Sequence, residues 1–361
     1  MARHTSKDLK QMQSLPLEAK EIMSMQRIRA WHDHWDGLVY VSISGGKDSA
    51  VLDDLVRRAL EPVGIKEVPR VFSDTGLEYP EVRQHALARA DVVLRPKMRF
   101  LDVLKTYGYP VISKEIGKTL RDARSTLSKG NYSLSLRQLG VRREEYGGLY
   151  DSGRYDYDKT VEGSMFNKAK YRPLLDADFH ISDWCCEVMK KKPFKEYEKE
   201  TGRMGIVGTL AEESALRKNS WYKNGCNAFK AKKPQSRPMS FWTEQDVLQY
   251  VQKYNLPIAS VYGDIVEDEA TGKLRTTLCD RTGCIFCGFG CHVERESRFE
   301  RLKETHPRQW NYCINGGEYD ETGRWQPNKK GLGMGHVFDE LNKLYGPEFI
   351  KYGKDPDDWM K

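Results

Sequence analysis

Residues Ser44-Gly45-Gly46-Lys47-Asp48-Ser49 follow the apolar run Leu38 to Ile43 and lead into a helix-compatible stretch, Asp48 to Leu60. A β-branched strand, a glycine pair and a helix start in that order aim several backbone N–H groups and a helix N-terminus at one anion. Gly45 and Gly46 let the backbone approach a phosphate closely. Lys47 adds a point charge, and Ser44 and Ser49 add hydroxyl donors. Asp48 is placed to help hold a Mg²⁺ that a nucleotide brings. The G-x-x-x-x-G-K-[ST] spacing of a Walker A loop is absent. A second polar loop, Ser73 to Glu81, follows the apolar Arg70-Val71-Phe72. Polar and glycine residues at a strand's C-terminal end are where doubly wound sheets bind ligands. Asp74, Thr75 and Gly76 are therefore candidates for the same site, with Asp74 as a contact to the nucleotide or its metal. Lys47, Asp48 and Asp74 are the candidate catalytic groups.

The other chemistry-bearing residues are eight cysteines. Without a secretion signal, cysteines are expected to bind metal or to react rather than to form disulfides. Cys279, Cys284, Cys287 and Cys291 have the spacing C-x4-C-x2-C-x3-C. Cys284 and Cys287 are the firm pair, because two thiolates two residues apart can bind one metal centre. Far upstream stand the adjacent Cys185 and Cys186. Consecutive side chains diverge, so both rarely ligate one zinc, whereas a cubane offers separate iron corners. Zinc and an iron–sulfur cluster both remain open.

These residues need a scaffold. A helix is expected over Leu17 to Trp35, then strand 38–43, helix 48–60, strand 70–73, helix 79–90, strand 91–94 and helix 99–107. Another helix is expected from Val111 to Arg124, with Ser113 as a possible cap. Residues 126–170 are rich in Ser, Gly, Tyr and charge and read as an insertion or lid. Helix 187–200 and strand 204–208 resume the pattern, and the strand ends at Gly208, a further candidate for nucleotide contact. A helix with a capping signal covers 241–254. Such alternation predicts an α/β fold with a mostly parallel, doubly wound sheet. The expected division is an N-terminal helical segment (1–36), a nucleotide-type α/β domain (37–265) and a cysteine-rich C-terminal region (266–361).

The string Ser44 to Ser49 resembles the PP-loop of the ATP pyrophosphatase superfamily, whose members cleave ATP between the α- and β-phosphates. Asp74 to Glu81 resembles the "DTG-x-E-[FY]-P-E" element of that superfamily's PAPS (phosphoadenosine phosphosulfate) reductase-like branch, where it lies beside the nucleotide. Gly208 to Arg217 is similar to the branch's "G-x-R-x-x-E-S-x-x-R" segment, with Thr209-Leu210 standing where an arginine is common. Pro238 to Tyr250 resembles its "P-[IL]-x-x-W-[ST]-x-x-D-V" helix start. Leu256-Pro257 and Val261-Tyr262-Gly263 resemble its "LP…Y" continuation. A Cys-Cys pair followed far downstream by C-x-x-C is similar to the [4Fe-4S] motif of adenylylsulfate (APS) reductases. That likeness implies Cys185, Cys186, Cys284 and Cys287 as cluster ligands, against the local set Cys279, Cys284, Cys287 and Cys291. The resemblance implies an adenine-nucleotide-alpha-hydrolase-like fold.

Sulfonucleotide reductases usually carry a degraded PP-loop and a nucleophilic cysteine near the C-terminus. This chain keeps the full loop, and its last cysteine is Cys313. The leading expectation is therefore ATP-dependent activation coupled to sulfur transfer, using ATP, Mg²⁺ and a [4Fe-4S] cluster. An APS/PAPS reductase with Cys313 or Cys226 as nucleophile is the alternative, and a non-catalytic nucleotide- and cluster-binding sensor is a third reading. A sulfur-donor protein or a thiol reductant would be the partner. The formal charge of +7 permits a nucleic-acid acceptor without requiring one. Lys223 to Arg237, interleaved with Trp221, Tyr222 and Phe229, suits a polynucleotide or a solvated loop equally. No run of 18 apolar residues is present, so no membrane span is expected, and the expected location is the cytoplasm.

Overall fold

The computed structural model describes residues 4–65, 68–142, 145, 164 and 166–354. Two compact units emerge, Met1–Pro96 with Lys191–Ile285, and Lys97–Lys190 with Phe286–Lys361.

The first unit is built on four parallel strands, β1 (Val39–Ile43), β2 (Arg70–Ser73), β3 (Val92–Leu94) and β4 (Met204–Val207). Their spatial order is β3-β2-β1-β4. Val41 pairs with Arg70, Val71 with Val92, and Val39 with Met204. The period-2 alternation of β1 supplies two apolar faces. Val39, Val41 and Ile43 pack into the main core with Ile28, Trp31, Val51, Leu55 and Val247 from the helices Leu17–His34, Lys47–Leu60 and Glu244–Lys253. Tyr40 faces the other way and packs with Val71, Tyr197 and Phe194, the last two from the helix Lys192–Thr201. Both sheet faces are thus covered, as an all-parallel sheet requires. The fold is α/β and doubly wound. Strand order reverses at β1, so the crevice beyond the C-terminal ends of β1 and β4 is the ligand position such sheets offer.

The second unit holds the helices Phe100–Tyr107, Lys114–Leu127, Arg298–Thr305, Pro307–Ile314 and Met334–Tyr345. A short parallel pair joins Val111–Ile112 to Gly288–Phe289. Val111 and Ile112 are therefore strand, not the start of a helix. Ser113 caps the helix that follows, accepting from the Ile116 N–H, and Ile112 sits at φ +67° just before it. The helix expected at 187 begins at Trp184 and passes through a π-turn, Glu187–Lys191, before Lys192–Thr201. Pro193 explains the widened turn: it has no N–H to give, and its ring presses on the carbonyl four residues back. Of the expected insertion at 126–170, residues 143, 144, 146–163 and 165 lie outside the described residues, and a short helix, Leu134–Gln138, lies within them. Among the described residues no helix is long and apolar enough to cross a membrane.

Candidate functional site

The loop after β1 is shaped by its glycines. Gly45 has φ +77°, and a Cβ there would stand 2.1 Å from the Val82 carbonyl oxygen. Only glycine fits a left-handed position against backbone this close. Gly46 precedes the 14-residue helix Lys47–Leu60. Ser49 fastens the turn: its hydroxyl donates to the Gly46 carbonyl at 2.8 Å and accepts from the Ser44 N–H at 3.2 Å. The N–H groups that begin the helix are weakly engaged. Gly46 donates to Ser44 Oγ at 3.4 Å, and Lys47 to the Tyr262 hydroxyl at 3.3 Å. Bonds of that length are easily exchanged for a phosphate oxygen.

The Lys47 side chain is buried, 4% exposed. Its ammonium lies 3.0 Å from Glu244 Oε1 and 3.4 Å from Asp48 Oδ1. Burial alone would lower the Lys47 pKa, but the Asp48 and Glu244 carboxylates outweigh it and hold the group above its ordinary value. The charge is thus fixed at the helix N-terminus. Tyr262, also buried, bridges this loop to Thr282 through a 2.7 Å hydroxyl contact.

The loop after β4 closes the other side. A Cβ on Gly208 would stand 3.0 Å from the Asp48 carbonyl oxygen, so glycine permits the close approach. Glu213 pairs with both Arg217 and Arg281. Glu212 Oε1 accepts the Glu244 N–H at 2.5 Å. Desolvation raises the Glu212 pKa against that hydrogen bond, with neighbouring Glu244 and Asp246 adding to the rise.

Asp74 directly follows β2, and its carboxylate is engaged. Arg83 donates to both oxygens, at 2.7 and 2.8 Å. That fork holds the Asp74 pKa below the usual carboxylate range against a smaller desolvation effect. Thr75 Oγ donates to Glu78 Oε1 at 2.6 Å and accepts from the Leu77 N–H at 3.1 Å. Glu78 Oε2 is buried with no hydrogen-bond partner among the described residues. Gly76 takes φ +70° with open space around it.

Asp48 and Glu244 offer two carboxylates beside the anion position, a donor set that suits Mg²⁺ when nucleotide phosphates complete its shell. The cysteines are less complete. Cys185 and Cys186, in the second unit, have sulfurs 3.9 Å apart. The Cys279 thiol donates to the Arg281 carbonyl and that of Cys291 to the Gly288 carbonyl, both at 3.0 Å. Among the described residues no group of three or more His, Cys, Asp or Glu is gathered to hold a metal ion. The Cys185–Cys186 pair offers two ligands for such a centre. Cys313 is fully buried with its sulfur 3.5 Å from Met334 Sδ, and burial pushes its thiol pKa well up.

The basic stretch corrects one expectation. Trp221 is 2% exposed, and Phe229 packs on Trp31 and His34 with ring centroids 5.1 and 4.4 Å apart. These rings serve the core and are not free to stack on bases. Lys230, Lys232 and Lys233 are exposed. Tyr262, Glu244 and Arg83 were not singled out as site residues by sequence. Tyr262 reaches the loop from 215 positions away, so its motif likeness did not say that it meets Lys47.

Residues 148–288 match the family model of the phosphoadenosine phosphosulfate reductase domain. The match covers less than half of the chain, and within it the sequence is similar to that domain. The matched stretch contains β4, Gly208, Arg217, Glu244, Tyr262 and the Cys185–Cys186 and Cys284–Cys287 pairs, while the Ser44–Ser49 loop lies before it. Among solved structures, the phosphoadenylyl-sulfate (PAPS) reductase of Candida auris, in its phosphate complex, is similar with a TM-score of 0.34 and 12% identity. That match covers 74% of this chain and 97% of the other. No curated protein matches the chain.

Proposed function

We propose that this protein binds ATP in the crevice at the C-terminal ends of β1 and β4 and cleaves it between the α- and β-phosphates, activating an acceptor for sulfur transfer. The observation that carries this reading is the loop 44–49. It joins weakly engaged helix-start N–H groups to a buried Lys47 whose pKa the neighbouring carboxylates hold above its ordinary value. These groups stabilise charge on a departing pyrophosphate, which is where such a reaction develops it. Asp48 and Glu244 would hold the Mg²⁺ that accompanies the phosphates.

A [4Fe-4S] cluster on Cys185, Cys186, Cys284 and Cys287 belongs to the same proposal. Its support is the spacing of the cysteines and the close Cys185–Cys186 pair. No catalytic step is assigned to it. For a polynucleotide acceptor, Lys230, Lys232 and Lys233 supply phosphate contacts whose strength falls steeply with salt.

Reduction of APS or PAPS is the second reading, favoured by the family match. It requires an accessible thiol. Cys313 is fully buried and Cys226 is buried in the main core with its sulfur 3.3 Å from Ser240 Oγ, so neither offers that thiol as it stands.

The test is incubation of anaerobically purified protein with ATP and, separately, with APS and PAPS plus a thiol. AMP and pyrophosphate from ATP support the first reading. Sulfite from a sulfonucleotide, with ATP untouched, replaces it with the second.

A further inference from the structure

We propose that a cavity of about 270 Å³ behind the 208–217 loop, within the first unit, binds a tetrahedral oxyanion such as sulfate or phosphate. Its wall includes Thr209, Arg217, Ser220, Trp221, Gln235 and Arg237. Lys47 and the loop 44–49 are not part of it, so it is distinct from the proposed nucleotide-phosphate position.

Two unmet groups share this wall. The first is the Arg237 guanidinium. It donates to Gln235 Oε1 at 3.0 Å and to Ser220 Oγ at 2.5 Å. Among the described residues no carboxylate pairs with it. Burial lowers its pKa, and nearby Cys226 only partly opposes that. A half-buried guanidinium with no carboxylate partner offers its remaining N–H groups to an anion. The second is the Trp221 indole. The residue is 2% exposed, and its Nε1–H is buried without an acceptor among the described residues. Buried donors of this kind are rare unless a water or ligand answers them. Arg217, already paired with Glu213, and the Ser220 and Thr209 hydroxyls add further donors.

A water would satisfy the indole but not the charge. One oxyanion satisfies both, with the guanidinium fork presenting parallel N–H groups to two of its oxygens. The volume lies just below the range of pockets that hold drug-sized ligands, which suits a small ion. Because the wall is formed in part by the loop after β4, the anion would lie next to the nucleotide crevice.

The test is calorimetric titration of the full chain with sodium sulfate and, separately, sodium phosphate, at ionic strength fixed with chloride. The indole N–H resonance of Trp221, assigned by its loss in Trp221→Phe, is followed in parallel. One saturable site per chain is expected, with the Trp221 resonance moving as it fills. Arg237→Gln should weaken binding at least tenfold, and Lys47→Ala should leave it within twofold. If Arg237→Gln does not fold, Arg237→Lys keeps the charge but loses the fork and should weaken binding severalfold. Preference for sulfate or for phosphate identifies the source of the anion. The proposal is overturned by an absence of saturable binding, by undiminished binding in the folded Arg237 variant, or by a Trp221 resonance that stays fixed. Loss of binding in Lys47→Ala would overturn it too, since the anion would then sit on the nucleotide loop.

Discussion

Gly45 and Gly76 both adopt left-handed backbone, yet their surroundings set different costs for a side chain. Gly45 faces the Val82 carbonyl, and Gly76 faces open space. Gly76→Ala should cost about 1 kcal/mol, the ordinary penalty of the conformation. Gly45→Ala adds a backbone clash and should cost about 2 kcal/mol or more, with loss of ATP binding; urea melts and ATP titration of the two variants check this. Asp74 carries a pH-dependent contribution. Its folded-state pKa is depressed by the Arg83 fork, so the pair stabilises above the unfolded aspartate value, near pH about 4, and the benefit disappears as pH falls through the lower folded value. Arg83 is partly exposed, which screens the pair. Arg83→Gln should cost about 1 kcal/mol at pH 7, and its stability should converge with that of the parent in strong acid. A gap that persists unchanged at pH 2 would show that the ion pair is not its source.

The helices that position Lys47 are tied together by a buried ion pair. Lys20, in the helix Leu17–His34, lies 2.7 Å from Asp246, which also closes the capping box of Thr243 in the helix Glu244–Lys253. That second helix presents Glu244 to Lys47. Lys20→Met should cost about 3 kcal/mol because it strands the Asp246 charge, measurable as a lowered denaturation midpoint; a loss below about 1 kcal/mol would mean that the pair behaves like a surface bridge. Elements of this kind were legible in sequence. The β-branched run at Val39 to Ile43, the glycine pair and the Thr243 cap are local signals, and the structure has each of them. Features that depend on distant partners were not legible. Val111–Ile112 is strand because it meets Gly288–Phe289, and Tyr262 enters the site through tertiary packing. Counting residue types also misread the basic stretch, because composition does not tell whether Trp221 and Phe229 face the core or solvent.

For the whole molecule, the nucleotide loop, the end of β4, Glu244 and Tyr262 all belong to the first unit, while Cys185, Cys186 and Cys287 belong to the second. The cysteine spacing was legible, but the set of sulfurs that closes on a metal is decided by folding and by the metal itself. Anaerobically purified protein should carry about four irons per chain with the absorbance of a cubane, and Cys279→Ser should keep it; stoichiometric zinc without iron would contradict the cluster. The central claim is that the loop 44–49 is the phosphate site of an ATP-binding crevice. Equilibrium titration with Mg²⁺-ATP, comparing the parent with Lys47→Ala, tests it most directly. Saturable binding to the parent, weakened at least about tenfold in the folded variant by loss of a charge-assisted contact, is the predicted result. A parent that does not bind ATP, or a variant that binds it equally well, would contradict the account.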